Sequence, residues 1–465
     1  MILNLISILY LILVCLGFWV APGRIRPALL TIAGYIYVFI LDIPAGVTLV
    51  VTSLLVYLSA LAIEKMKSKK QIHKAKAIFI FTIVLIVAAM IVQKIPAMSF
   101  VAMIGFSFYG FSAISYLADV LKADIRADKN IIAVLLFLSY FPKFISGPIE
   151  RKGHFDAEVK KAEKLKFFDT KRLSNALMFI IVGAFMKIVI ADRLNIYTTD
   201  IFNGYDVYET LGLLFGSLSY TIQIYADFAG YSYIAVGVSL LFGIGINKNF
   251  DTPYMAANIT EFWRRWHISL SNFLKDYIYI PLGGSRKGNL RRYINVGIVF
   301  LCCGIWHGYG LSFIIWGGLH AAYSVLDNIL KDKNISRLRS GAVGRVLTFL
   351  AVSFAWIFFR APSTTEGLRF LKTMFTAGID FKAFTGRFLA DRRNITEMVI
   401  VLMTIIVIFT ADYICYRRKQ ILPELLQSKG TFAKCAAVYI VIVLIVVIGV
   451  YGPEFNSANY IYMQF

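Results

Sequence analysis

Ile131-Ile-Ala-Val-Leu-Leu-Phe-Leu-Ser-Tyr-Phe-Pro-Lys-Phe-Ile-Ser-Gly-Pro148 is apolar enough to enter a bilayer, yet it is broken by Pro142 and by Gly147-Pro148. A spanning helix needs about 20 predominantly apolar residues. Upstream stand Lys122, Arg126 and Lys129; downstream come Arg151, Lys152, Lys160, Lys161, Lys164, Lys166, Lys171 and Arg172. Lys and Arg mark cytoplasmic loops, so both flanks read as cytoplasmic and one crossing does not satisfy that parity. The stretch predicts a re-entrant element, which a membrane tolerates where protein or a water-filled cavity satisfies the freed backbone groups. An ordinary crossing with a basic outer loop is the alternative, since the charge rule is statistical.

On the N-terminal side, apolar runs near residues 2–20, 28–41, 45–63, 77–92 and 99–118 read as five consecutive crossings. The breaks between them alternate between basic and sparsely charged, which places the N-terminus outside. The first run lacks a basic n-region and an A-x-A end, so it reads as a membrane helix, not a cleaved signal. On the C-terminal side, 173–190 leads to an acidic loop with Asp192, Asp200, Asp206 and Glu209. Between 210 and 247 two apolar runs are interrupted by Asp227 and Gly230, and one crossing plus one partial insertion is expected there. Regular alternation follows through 293–306, 309–327, 346–359, 397–414 and 434–451, leaving the tail 452–465 extracytoplasmic. The outer segment 361–396 mixes charges as a partner-docking surface would, and as any solvated loop does. No internal repeat is visible, which weakens the case for a secondary transporter.

Composition agrees with this walk. Hydrophobic residues make up 58% of the 465 and charged residues 16%, with a mean hydropathy of +0.70. That is far more apolar surface than a soluble core hides, and it excludes a water-soluble enzyme. The expected fold is one all-α polytopic membrane domain over residues 1–465. The balance of 48 basic to 27 acidic residues, +21 in all, would suggest nucleic acid in a soluble protein; here it reflects cytoplasmic loops. Cys15, Cys302, Cys303, Cys415 and Cys435 show neither a disulfide framework nor zinc spacing.

The stretch Asn258-Ile-Thr-Glu-Phe-Trp-Arg-Arg-Trp-His-Ile-Ser-Leu-Ser-Asn-Phe-Leu-Lys-Asp-Tyr-Ile-Tyr-Ile-Pro-Leu-Gly-Gly284 is too polar to span and too aromatic to float in water. At helical spacing Trp263, Trp266, His267, Leu270 and Phe273 share one side, and Arg264, Ser271 and Lys275 lie on another, which predicts an interfacial amphipathic helix. A surface anchor needs only Trp and Arg; a histidine on the apolar face asks for more. His307 follows in Gly304-Ile-Trp-His-Gly308, beside Trp306, and His320 in Trp316-Gly-Gly-Leu-His320. An ionisable group at membrane depth is a functional candidate, and Gly317 and Gly318 let a neighbouring helix or ligand approach closely. A core hydrogen bond also accounts for one such histidine; three of five within 54 residues asks for a shared role. A buried imidazole favours its neutral form, able to take a proton from a hydroxyl. General-base or acyl-transfer chemistry fits this. Metal binding lacks carboxylate or thiol partners at ligand spacing, and Asp227 is the nearest alternative acid.

Together Phe250-Asp-Thr-Pro-Tyr254, Glu261-Phe-Trp-Arg-Arg-Trp-His267, Asp276-Tyr-Ile-Tyr-Ile-Pro-Leu-Gly-Gly284, Trp306-His-Gly308 and His320 resemble the membrane-bound O-acyltransferase (MBOAT) family. The bacterial branch that exports acetyl groups to alginate, peptidoglycan and other wall or capsule polymers is the best match. Phe141-Pro-Lys-Phe-Ile-Ser-Gly-Pro-Ile149 and Tyr225-Ala-Asp-Phe-Ala-Gly-Tyr231 look like that branch too, and the motifs cover about residues 100–330. The resemblance implies a ring of about 11 to 13 transmembrane helices, each of about 20 apolar residues, with re-entrant helices around a central tunnel. It makes His320 the active-site histidine, His267 the second polar member where many relatives carry asparagine or histidine, and His307 part of a Trp-His motif of less defined role. Trp263, Arg264, Trp266, Trp306, Trp316 and Asp227 are the expected tunnel-lining residues.

The resemblance further implies a bacterial cytoplasmic membrane and acetyl-CoA as donor substrate, with no bound cofactor and no metal. An extracytoplasmic SGNH-type transferase is the expected partner, and a cell-surface polysaccharide or peptidoglycan the final acceptor. The tail Asn459-Tyr-Ile-Tyr-Met-Gln-Phe465 makes Tyr462 a candidate acyl relay; the alternative is that Tyr460, Tyr462 and Phe465 pack at the interface. D-alanyl transfer to teichoic acids is the nearest rival activity, disfavoured by Pro281-Leu-Gly-Gly284, and a non-catalytic polymer exporter or scaffold is the rival of another class.

Overall fold

A computed structural model describes residues 5–94, 104–166, 169–308, 310–335, 338–389 and 392–451. Among them every regular element is helical. In chain order these are α1 Leu5–Val20, α2 Arg26–Leu41, α3 Ile43–Ser68, α4 Ile72–Val92, α5 Phe106–Lys122, α6 Ile131–Ser139, α7 Lys152–Ala162 and α8 Thr170–Ala184. There follow α9 Asp192–Asn203, α10 Thr210–Leu241, α11 Ile259–Arg265, α12 Ile268–Leu274, α13 Asn289–His307 and α14 Leu311–Asp332. The last are α15 Gly341–Arg360, α16 Thr364–Thr376, α17 Phe381–Leu389, α18 Arg392–Arg418, α19 Leu422–Gln427 and α20 Thr431–Ile448.

Eight helical segments among the described residues are long and apolar enough to cross a membrane, as expected of a multi-pass membrane protein. α13 and α14 are not among them, because Arg291, Arg292, His320 and Asp327 dilute their hydropathy. The described residues form two compact units, 5–180 with 232–248, and 181–231 with 249–451.

In the first unit α6 has nine residues, about 14 Å at 1.5 Å per residue, half of a bilayer core. The side chain of Asn130 caps its start by accepting from the N–H of Ile132 at 3.0 Å. A 3₁₀ turn over Phe141–Lys143 and the Gly147-Pro148 break follow, all buried. The helix is interrupted at Pro142 and at Gly147-Pro148, where the sequence shows its breaks. Buried Glu150 then ties α7 to the segment after α10. It accepts from the Asn247 backbone at 2.5 Å and the Asn247 amide at 2.9 Å, and pairs with His154 at 2.8 Å.

The expectation of one crossing and one partial insertion between 210 and 247 is corrected. Residues 210–241 form one uninterrupted helix, α10. Asp227 does not break it, because Lys187 Nζ meets Asp227 Oδ1 at 2.7 Å and Asp192 Oδ1 at 2.7 Å. Gly230 does not break it either: it admits the carbonyl of Gly183, which a Cβ would meet at 2.8 Å. Lys187 sits in a π-helical turn, Phe185–Ala191, that joins α8 to α9.

In the second unit α13 and α14 form an antiparallel hairpin crossing at Gly304 and Gly317. A Cβ on Gly304 would strike the Phe313 carbonyl, and one on Gly317 the Phe300 carbonyl. This is the close approach small residues permit. Gly318 has open space instead, so only the first of the two adjacent glycines serves packing.

Candidate active site

The amphipathic segment 258–284 is not one helix. Asn258 caps α11 by accepting from the Glu261 N–H at 2.9 Å, and Glu261 in turn accepts from the Ala257 N–H at 2.8 Å. α11 ends at Arg265, Trp266 is extended, and His267 takes φ +43°, ψ +56° before α12 begins. Buried Asn249 fixes the break. Its carbonyl accepts from Ile268 N at 2.9 Å, and its side chain from Ser269 Oγ at 2.6 Å. A straight helix would have placed Trp266 and His267 in the face with Leu270. The break turns both fully inward instead, and α12 runs on into a second π-helical turn, Lys275–Tyr279.

His320 lies on α14 less than one turn beyond the Gly304–Gly317 crossing and is fully buried. Among the described residues six rings enclose it: Trp316 at 4.9 Å, Trp263 at 5.0 Å, Phe300 and Tyr323 at 6.0 Å, and Phe262 and Trp356 at 6.2 Å between centroids. Trp263 Nε1 donates a hydrogen bond to its Nδ1 at 3.3 Å. Trp316 bridges His320 to His307, 5.1 Å from its own ring. Half-buried Trp306 lies 4.4 Å from His307 and 6.3 Å from His267, which also meets Phe228 at 4.7 Å. Trp266 packs on Phe262 and Trp356 at 5.5 and 5.1 Å. The three histidines thus sit in one aromatic layer linked by tryptophans.

Two pockets approach this layer. A polar one of about 780 Å³ is lined by five cations, Arg264, Arg265, Arg292, Lys331 and Arg339, against two carboxylates, Asp251 and Glu261. Arg265 is tied to Glu261 at 3.0 Å, Arg292 pairs with Asp332, and Arg339 with Asp327. Arg292 holds the Asp332 carboxyl below its ordinary value through that bond. Arg264 and Lys331 make no ion pair among the described residues. An apolar pocket of about 200 Å³ runs between Leu274, Val296 and Val299 to Trp263 and Phe300. Tyr279 lines both pockets, and Trp263 and Phe300 both touch His320. A phosphate-bearing, chain-like molecule fits that sequence of surfaces: charge at one end, an apolar arm, then an imidazole behind an aromatic wall.

Of the residues singled out in the sequence, His267, His307, His320, Trp263, Trp266, Trp306 and Trp316 come together here, and Arg264 lines the polar pocket. Asp227 is held by Lys187 and, like Trp266, Trp306 and Trp316, lines neither pocket. Tyr462 lies outside the described residues. Asn249, Phe300, Trp356, Lys331 and Arg339 are not singled out by the sequence, and Tyr279 only as part of the motif Asp276–Gly284. The available signals were the position of Asn249 next to the Phe250-Asp-Thr-Pro-Tyr254 motif and that of Tyr279 within its own motif. Among the described residues no three His, Cys, Asp or Glu side chains gather as metal ligands would.

The model of the membrane-bound O-acyltransferase family, MBOAT, matches residues 32–365. A protein described as probable alginate O-acetylase AlgI from Pseudomonas putida is 39% identical over 277 residues, 59% of this chain and 56% of its own. A peptidoglycan O-acetyltransferase from Helicobacter pylori is 38% identical over 246 residues, 51% of this chain and 46% of its own. A teichoic acid D-alanyltransferase from Bacillus subtilis is 29% identical over 247 residues, 51% of this chain and 62% of its own. The chain spans about half the length of these two O-acetylating relatives.

Proposed function

Since the chain belongs to the membrane-bound O-acyltransferase family, we propose that it carries an acetyl group from cytoplasmic acetyl-CoA across the cytoplasmic membrane to a hydroxyl on a cell-surface polysaccharide or peptidoglycan. One observation carries this reading: the basic pocket and the apolar pocket share Tyr279, and the second ends on Trp263, the residue bonded to His320. Arg264 and Lys331 receive the donor's phosphates, and the pantetheine arm follows the apolar pocket toward the histidines. His320 accepts the proton of the attacking hydroxyl, whose oxygen adds to the acyl carbon as the C–S bond breaks; the proton passes on to the departing thiolate. His267 orients the hydroxyl or stabilises the developing oxyanion.

Both termini lie on the outer side in this reading. Tyr462 takes the acetyl group transiently, and a partner transferase of the SGNH type delivers it to the polymer. The similarity to a teichoic acid D-alanyltransferase supports a second reading, D-alanyl transfer from a carrier-protein thioester. Offering the purified chain radiolabelled acetyl-CoA and a D-alanyl carrier thioester in parallel separates the two. Label transfer from acetyl-CoA that disappears in His320→Ala at normal membrane abundance is the expected result. Unimpaired polymer acetylation with His320→Ala refutes the catalytic reading, and unimpaired acetylation with Tyr462→Phe refutes the relay.

A further inference from the structure

We propose that Trp263 is a positioning residue that fixes the tautomer of His320, and that a hydroxyl activated there must take the place of the Trp263 indole. The inference rests on the reading of His320 as the proton acceptor. An indole Nε1–H only donates, and here it points at His320 Nδ1 from 3.3 Å. A neutral imidazole has one N–H and one lone pair, so Nδ1 bears the lone pair and Nε2 the proton. The opposite tautomer would set two N–H groups head to head inside a closed aromatic shell, leaving both without an acceptor. Among the described residues nothing else in that shell reverses the choice. Phe262 and Phe300 have no polar atoms, and the Trp316 and Trp356 indoles, whose N–H groups would favour a lone pair at Nε2, do not bond to it: Nε2 is buried with no hydrogen-bond partner among the described residues. The Tyr323 hydroxyl can donate or accept and makes no hydrogen bond to Nε2.

Two consequences follow for the chemistry. At Nε2 the ring can donate to a carbonyl oxygen but cannot take a proton. At Nδ1 it can take a proton only after the indole N–H has left, so Trp263 and the attacking hydroxyl compete for one lone pair. The Trp263 ring also forms the end of the apolar pocket, so its displacement opens toward space that already exists.

Nitrogen NMR of the full chain in nanodiscs, labelled at its histidines, reads the tautomer directly. There are five histidines, and the His320 signals are assigned by their loss in His320→Gln. The expected spectrum shows an unprotonated Nδ1 and a protonated Nε2. Trp263→Phe keeps a ring against Phe300 and His320 while removing the N–H. It is expected to shift the tautomer ratio about fivefold, the effect of one hydrogen bond of typical net strength. With the lone pair uncovered, acetyl-CoA hydrolysis without polymer is expected to rise by a similar factor. In that reaction water oxygen adds to the acyl carbon, the C–S bond breaks, and the proton passes through Nδ1 to the thiolate.

A protonated Nδ1 in the unaltered chain overturns the proposal without any variant having to fold. So does a tautomer ratio unmoved in Trp263→Phe, or a folded Trp263→Phe whose hydrolysis is unchanged or slower. If His320→Gln transfers acetyl normally while the unaltered chain shows the Nε2–H tautomer, the catalytic reading of His320 falls and the tautomer assignment stands.

Discussion

His267 carries a backbone conformation that few side chains accept. Its φ of +43° lies in the left-handed region, where Asn, Asp and His are several-fold enriched among non-glycine residues and β-branched ones are outliers. The asparagine or histidine that the family resemblance implies at this position therefore answers to the backbone as well as to the chemistry. His267→Asn is expected to melt within about 0.5 kcal/mol of the unaltered protein, and His267→Val to lose about 1–3 kcal/mol, the range for a strained dihedral. Thermal unfolding in a fixed detergent checks both; equal stability of the two variants contradicts the backbone argument. His320 was legible in the sequence because a histidine inside an apolar run is rare and expensive. Its enclosure was not, since the six rings come from α11, α13, α14 and α15 and no local period links them.

At the level of elements, glycine decides where helices meet. Gly317 lets α14 approach the Phe300 carbonyl, and Phe300 and His320 are in ring contact just past that crossing. Gly317→Ala is expected to overpack the hairpin by about 1–3 kcal/mol and to cut transfer at least tenfold by shifting His320. Gly318→Ala, which meets open space, should do neither, and paired melting and transfer assays read the contrast. α7 offers a pH test. The Glu150 carboxylate accepting from the His154 ring holds that imidazole above its ordinary value, and burial opposes this only in part. A raised histidine stabilises fully below its unfolded value, about 6.5, and the contribution fades as pH rises through the folded value. The melting gap between the unaltered chain and His154→Ala should thus be widest below about pH 6.5 and narrow as pH rises through the raised folded value; a gap that widens with pH reverses the sign and refutes the pairing. The breaks after α6 were legible in the sequence because proline and glycine announce themselves. It misjudged 210–247 because Asp227 looks like a helix break until Lys187, forty residues earlier, is seen beside it.

Across the whole molecule, charge was the most legible quantity and the least specific. The alternation of Lys and Arg marked loops, but it could not say which of them converge. Arg264, Arg292, Lys331 and Arg339 are separated by up to 75 positions and line one pocket. Such a pocket makes a distinct kinetic prediction. If Arg264 and Lys331 hold phosphates that do not react, they bind ground state and transition state alike, so their loss raises KM and spares kcat. Each substitution to alanine is expected to raise the acetyl-CoA KM about three- to fivefold, as for a solvent-facing ion pair of about 1 kcal/mol, and both together about tenfold. Raising salt from about 0.05 to about 0.5 M should reproduce the rise in the unaltered chain by screening and add little to the double variant. S-acetylpantetheine, which keeps the thioester arm and lacks the phosphates, supplies the contrast. Its KM should be high at the start and indifferent to both substitutions and salt, because the apolar pocket and the histidines receive it without the cations. A KM for S-acetylpantetheine that climbs in step with that for acetyl-CoA would mean that Arg264 and Lys331 support the fold of the pocket and not the charge of its guest.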